Sequence, residues 1–174
     1  MIEISQNSLM KTTRYLTLFI GLAITPICVA QNQVTGSDST YYDHWVGEWY
    51  QEVDGELRSE PTFVVKRALY HSSFEEYWMG AGGNFSIAWR AWDSRTRKWD
   101  FAWMSTDGLF QIWEGKKIDG IWYIYKTFMI NDQEVLSRQA FIPENDRTVI
   151  RTSEHSSDNG KTWRLRFREI YKKQ

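Results

Sequence analysis

From about residue 45 to residue 171 the chain alternates, and a period of two excludes most folds before any motif is weighed. Trp99, Phe101 and Trp103 share one parity, with Asp100 and Ala102 between them. Near the C-terminus Trp163, Leu165 and Phe167 interleave with Arg164, Arg166 and Arg168. Successive side chains of a strand point to opposite faces, whereas a helix needs apolar residues three and four apart. The alternation predicts strands over 45–53, 62–71, 74–79, 84–92, 98–104, 109–115, 121–130, 134–142, 147–155 and 162–171. Turn-forming residues separate them: Asp93-Ser94-Arg95, Asp107-Gly108, Asp119-Gly120, Asn131-Asp132, Glu144-Asn145-Asp146 and Asp158-Asn159-Gly160. No segment after residue 44 offers an amphipathic helix of ten residues.

Short turns between consecutive strands make an up-and-down meander. An open sheet of that size would expose its two edge strands, and closure removes them. The expectation is therefore an all-β protein, an antiparallel up-and-down β-barrel of about 8–10 strands, with a two-sheet sandwich as the alternative.

The first thirty residues read differently. Lys11 and Arg14 precede an apolar run from Leu16 to Val29, and Cys28-Val29-Ala30 offers a small-x-small cut before Gln31, the three parts of an export signal. Met10-Lys11 makes a better translation start than Met1. The run is 14 residues long, short of the roughly 20 that span a bilayer, so no transmembrane segment is expected in the mature chain. The expected organisation is a signal peptide over 1–30, a flexible lead-in over 31–43 and a single barrel domain over 44–174, in a secreted or periplasmic protein.

Cys28, the only cysteine, leaves with that signal, which excludes disulfides, cysteine zinc sites and thiol catalysis in the remainder. Loss of Glu3, Lys11 and Arg14 leaves 19 basic and 21 acidic residues, a balance from which no nucleic-acid partner can be read. His44, His71 and His155 have no second ligand at metal-binding spacing, so neither a metal nor a cofactor is expected. Glu75, Glu76, Asp100 and Glu114 are not brought together as a catalytic pair by anything in the sequence, and Glu75-Glu76 reads as a half-exposed strand start. Gly80-Ala81-Gly82-Gly83 lacks the serine of a nucleophile elbow and the following helix of a phosphate cradle, and reads as a wide loop at a barrel mouth.

Aromatic residues carry the functional signal. All ten tryptophans fall between Trp45 and Trp163, more than a core of this size needs, so either the barrel is packed with rings or some of them line a cavity. Trp89, Trp92, Trp103, Trp113, Tyr123 and Tyr125 come from four consecutive strands. Arg90, Arg138 and Arg151 interrupt apolar strands, where a charge needs a partner or water. They stand on the outer wall between exposed neighbours, or one of them faces an anionic ligand group inside the cup. Trp89, Arg90, Trp92, Trp103, Trp113, Tyr123, Tyr125 and Arg138 form the candidate ligand site.

Gly47-Glu48-Trp49-Tyr50, at the start of the first strand, resembles the Gly-x-Trp signature of lipocalins and the wider calycin barrels, and the layout is closest to lipocalin-like families of exported bacterial proteins. The resemblance implies a cupped barrel that binds a small, largely apolar molecule. It also implies that Trp49 closes one end beneath an arginine of the last strand, Arg166 or Arg168. Haem-binding barrels of ten strands imply His155 as an axial ligand, against the plainer reading of a surface or pocket-rim histidine. Ser156-Ser157-Asp158-Asn159-Gly160-Lys161-Thr162-Trp163 resembles the Asp-box of sialidase propellers, whose role is to build a turn; one copy implies no glycosidase. Three functions stay open: a binding protein for an apolar or aromatic molecule, an enzyme such as a cyclase, isomerase or hydratase on the same barrel, and a protein- or glycan-interaction module.

Overall fold

The computed structural model describes residues 37–69, 72–80 and 82–174; the expected signal segment and His71 lie outside them. The described chain forms β1 (Gly47–Val53), β2 (Glu56–Leu57), β3 (Phe63–Arg67), β4 (Ser73–Met79), β5 (Phe85–Asp93), β6 (Lys98–Ser105), β7 (Phe110–Ile118), β8 (Ile121–Ile130), β9 (Gln133–Asn145), β10 (Thr148–Ser156) and β11 (Arg164–Lys172). The ten expected strands are all present, and β2 is a two-residue spur folded back on the end of β1. From β3 to β11 each strand pairs antiparallel with the next, and β1 pairs with β3. Tyr50–Lys172, Gln51–Tyr171 and Glu52–Ile170 pairs between β1 and β11 close the ring, and a Lys172–Glu52 ion pair spans the same seam. The result is a closed ten-stranded antiparallel barrel.

Turn chemistry sets the register. Asp119-Gly120 and Asn131-Asp132 all have positive φ, the two-residue geometry whose twist matches a hairpin's own. Gly115 on β7 is required for a different reason: a Cβ there would lie 1.8 Å from the Trp99 carbonyl oxygen on β6, so the two strands approach as closely as they do only because the side chain is absent.

Asp38–Trp45 form a 3-10 helix where the sequence predicts a flexible lead-in. Its polar start hides three rings, Tyr41, Tyr42 and Trp45, all buried, and their burial outweighs the entropy of ordering so short an element. The helix lies across one end of the barrel. Trp45 stacks on Trp49 with ring centroids 4.9 Å apart, and the Trp49 Nε1–H donates to the Trp45 carbonyl at 2.8 Å. The Tyr42 hydroxyl donates to the Trp122 carbonyl at 3.2 Å and the Trp99 Nε1–H to the Asp38 carbonyl at 2.7 Å. With Phe63, Val65, Phe74, Phe141, Val149 and Tyr171 these residues fill that half of the interior.

Candidate functional site

Closure of the barrel decides which parity faces inward, and it divides the residues picked from the sequence. Trp103 and Trp113 line an interior cavity. Trp92 also points inward, but into the filled half, edge-on to Trp122 at 5.8 Å. Trp89 stands on the outer wall, 40 % exposed. Residues 89 and 90 are adjacent in a strand and must take opposite faces, so Arg90 is the inward member of that pair, wholly buried. Tyr123, Tyr125 and Arg138 are on the outside, away from the cavity. The Arg138 guanidinium sits between the rings of Trp163 (4.0 Å) and Tyr123 (4.6 Å), and its Nε donates to Glu154 at 2.6 Å. Tyr125 completes this outer cluster against Trp163.

The cavity measures about 370 Å³, within the lower range of small-molecule sites. It lies toward the end carrying the β4–β5, β6–β7, β8–β9 and β10–β11 connections, opposite the helix. Trp78, Phe101, Trp103, Trp113 and Phe128 supply its apolar walls, and Ser86, Gln111, Ser137 and Gln139 its neutral polar groups. Trp113 packs edge-on against Phe128 at 5.5 Å. The pairing of β7 with β8 ends at Glu114–Tyr125, whereas β8 continues to pair with β9 as far as Ile130, so the wall parts between β7 and β8 beside the cavity.

Two interior ion pairs support the cavity. Glu76, expected at a half-exposed strand start, is buried and reaches the cavity. It accepts a 2.6 Å bond from Arg90 Nε and a 3.4 Å bond from Arg90 Nη2. The Arg90 guanidinium also lies 4.1 Å from the Tyr42 ring and 4.8 Å from the Phe101 ring, so it joins the filled half to the hollow one. Burial works to lower its pKa, but the Glu76 carboxylate and Tyr42 outweigh that and raise it. Burial also lifts the Tyr42 hydroxyl to about 12. Higher up, Arg151 donates to Gln139 Oε1 from both Nε (3.3 Å) and Nη2 (2.9 Å) and to Glu169 at 3.1 Å; Glu169 in turn accepts from the Tyr171 hydroxyl at 2.8 Å.

The last strand departs from strict alternation. Between Ser153 and Glu154 the β10–β11 register shifts: Ser153 pairs with Phe167, but Glu154 pairs with Leu165. Arg166 is the extra residue, and a bulge of this kind re-aims the side chain it carries. Arg166 therefore lines the cavity, and Leu165 goes to the outer wall, 55 % exposed. His155, two residues past Ser153, lines the cavity too; burial, then Arg166, then Arg164 hold its pKa below the usual histidine value.

Arg166 thus does not cover Trp49, as the barrel resemblance implies. Lys173 does, with Nζ 4.6 Å from the indole centroid, while Arg168 belongs to the outer face of β11, paired with Thr152. Gly47 is the second half of that arrangement. It has φ +129°, and a Cβ there would meet Lys173 Cε at 3.2 Å.

The Asp-box segment is the turn it resembles. Thr162 donates from its backbone N–H and its hydroxyl to the two Asp158 oxygens at 2.9 and 2.7 Å. Ser156 Oγ donates to Asp158 at 2.7 Å and accepts from the Gly160 N–H at 2.8 Å. These bonds hold the Asp158 carboxyl at a pKa of about 2.

Fold and cavity together define a closed up-and-down barrel, packed with rings at one end and hollow at the other. That architecture is consistent with the lipocalin-like resemblance. No family model matches the chain, and no curated protein matches it in sequence. Among the described residues there is no cluster of metal-ligating side chains and no helix long and apolar enough to cross a membrane.

Proposed function

We propose that this protein is an exported, lipocalin-like binding protein whose hollow half receives a small, largely apolar or aromatic molecule. The observation that carries this reading is the cavity of about 370 Å³ walled by Trp78, Phe101, Trp103, Trp113 and Phe128. A cavity lined by rings presents one face of each ring to a guest, so a ligand of matching shape gains dispersion and burial without rearranging the wall. The filled half supports the same reading, because a barrel braced at one end can stay open at the other. Export follows from the Lys11–Ala30 segment.

Titration of intrinsic tryptophan fluorescence with fatty acids, terpenoids, aromatic acids and haem tests the proposal. A saturable change with at least one class is expected, and Trp103→Phe together with Trp113→Phe should remove most of the change while leaving the protein folded. Absence of a saturable response to every class would overturn the reading.

A further inference from the structure

We infer that the cavity selects a ligand carrying one negatively charged oxygen group, a carboxylate or similar oxyanion, held at the mouth by Arg166 and His155 with the apolar body below. This rests on the binding reading above and names the chemistry that site selects.

The argument is one of uncompensated charge. Two interior carboxylates, Glu76 and Glu169, reach the bore, and each is already matched by an interior guanidinium: Glu76 by Arg90 at 2.6 Å and Glu169 by Arg151 at 3.1 Å. Those pairs neutralise each other and leave Arg166, which lines the cavity and makes no ion pair or hydrogen bond among the described residues. Arg164 stands directly across from His155 in the β10–β11 ladder and adds a second positive charge to the rim. Glu154, the nearest carboxylate in sequence, is on the outer wall and engaged by Arg138 at 2.6 Å. The rim is therefore positive, with no acid to answer it from within.

Chain geometry makes the same point. Without the register shift after Ser153, alternation would carry Arg166 to the outer wall with Arg168. A β-bulge gives up a ladder hydrogen bond, and here it turns a cation that has no ion pair among the described residues into the hollow. Ser153, on the inner face two residues before His155, is buried, and its hydroxyl has no hydrogen-bond partner among the described residues. Of the cavity's lining, a guanidinium (Arg166) and an imidazole N–H (His155) are donors an oxyanion takes, and bonds to a charged acceptor are the strong ones.

A matched pair of fluorescent probes tests this on the full chain. Anilinonaphthalene sulfonate and N-phenylnaphthylamine share one apolar body and differ by the anionic group. The sulfonate should bind about tenfold more tightly or better, and added salt should narrow that gap. Arg166→Gln should abolish the preference while leaving N-phenylnaphthylamine affinity within about twofold; Arg168→Gln, which removes the same charge from the outer face of the same strand, should leave the preference intact. Equal affinity of the two probes, or a preference that survives Arg166→Gln, overturns the anion site and leaves the apolar cavity standing. Failure of both probes to bind overturns the cavity reading and this inference together.

Discussion

Lys173 reaches back across the barrel's first strand to lie over Trp49, with Nζ 4.6 Å from the indole centroid and donating to the His44 carbonyl at 3.2 Å. One side chain thereby ties the C-terminal end of the chain to the first strand and to the helix that plugs the bore. It can do so because Gly47 leaves its path clear.

Gly47→Ala should therefore lower stability by about 1–3 kcal/mol through backbone strain alone, and by more through the contact with Lys173. Lys173→Ala combined with Gly47→Ala relieves the contact but not the strain, so the double variant should lose less stability than the sum of the two single losses. Urea denaturation of the two single variants and the double variant measures this; strict additivity would show that Lys173 does not press on position 47.

His44 gives the plug a pH dependence. Its Nδ1–H donates to the Tyr41 carbonyl at 2.7 Å, and its Nε2 is buried without a partner among the described residues. Burial lowers its pKa from 6.5 to about 4. Between those values the unfolded chain takes up a proton that the folded one refuses, so stability falls as pH drops from 6.5 toward 4 and is level above. The shift corresponds to roughly 3 kcal/mol in full. His44→Gln should flatten the slope of unfolding free energy against pH in that window; an unchanged slope would assign it to other groups.

Arg90 and Glu76 should be far more sensitive singly than together. Arg90→Met leaves a carboxylate buried without its cation, at a cost of about 3–5 kcal/mol. Arg90→Met with Glu76→Leu removes both charges and should recover much of that loss. A double variant as unstable as the single one would mean that Arg90 acts through its rings, Tyr42, Phe101 and Phe141, more than through Glu76.

Asp158→Ala should lower the melting temperature and Asp158→Asn should lower it less, because an amide oxygen still accepts from the Thr162 N–H. The Asp158 contribution is present above its ordinary value of 3.8 and fades as pH falls toward 2. Equal melting temperatures for all three proteins would show that the loop is held by Trp163 packing instead.

The strands were legible in the sequence because alternation and turn residues are local signals, and all ten fall within a few residues of where the pattern puts them. Inward and outward were not, because that choice is made only when β11 meets β1. Tyr123 and Tyr125 share a face, as their spacing requires, but it is the outer one; Trp122 and Ile124 take the inside. Adjacent Trp89 and Arg90 could never both line a cavity, and this much was readable. The bulge at Arg166 was not, since Trp163, Leu165 and Phe167 keep perfect parity in the sequence while the ladder does not. Glu76 was missed as an interior group, and Arg151 was left open between wall and interior, because their partners, Arg90, Gln139 and Glu169, are distant in the chain. A strand-by-strand search for opposite charges on one parity would have found the Glu76–Arg90 pair. The plugging helix escaped for want of a helical period: eight residues carry only three buried rings.

The division of the bore into a solid storey and a vacant one separates two tasks that most small domains must share. Sequence change around Trp78, Gln111, Phe128 or Arg166 falls on the hollow storey, where, on the proposed binding function, it would alter what the vessel accepts, while Trp45, Trp49 and Trp99 keep the vessel standing. On that proposal, a lineage built on this chain could exchange one guest for another by repainting the upper wall, without renegotiating the foundations.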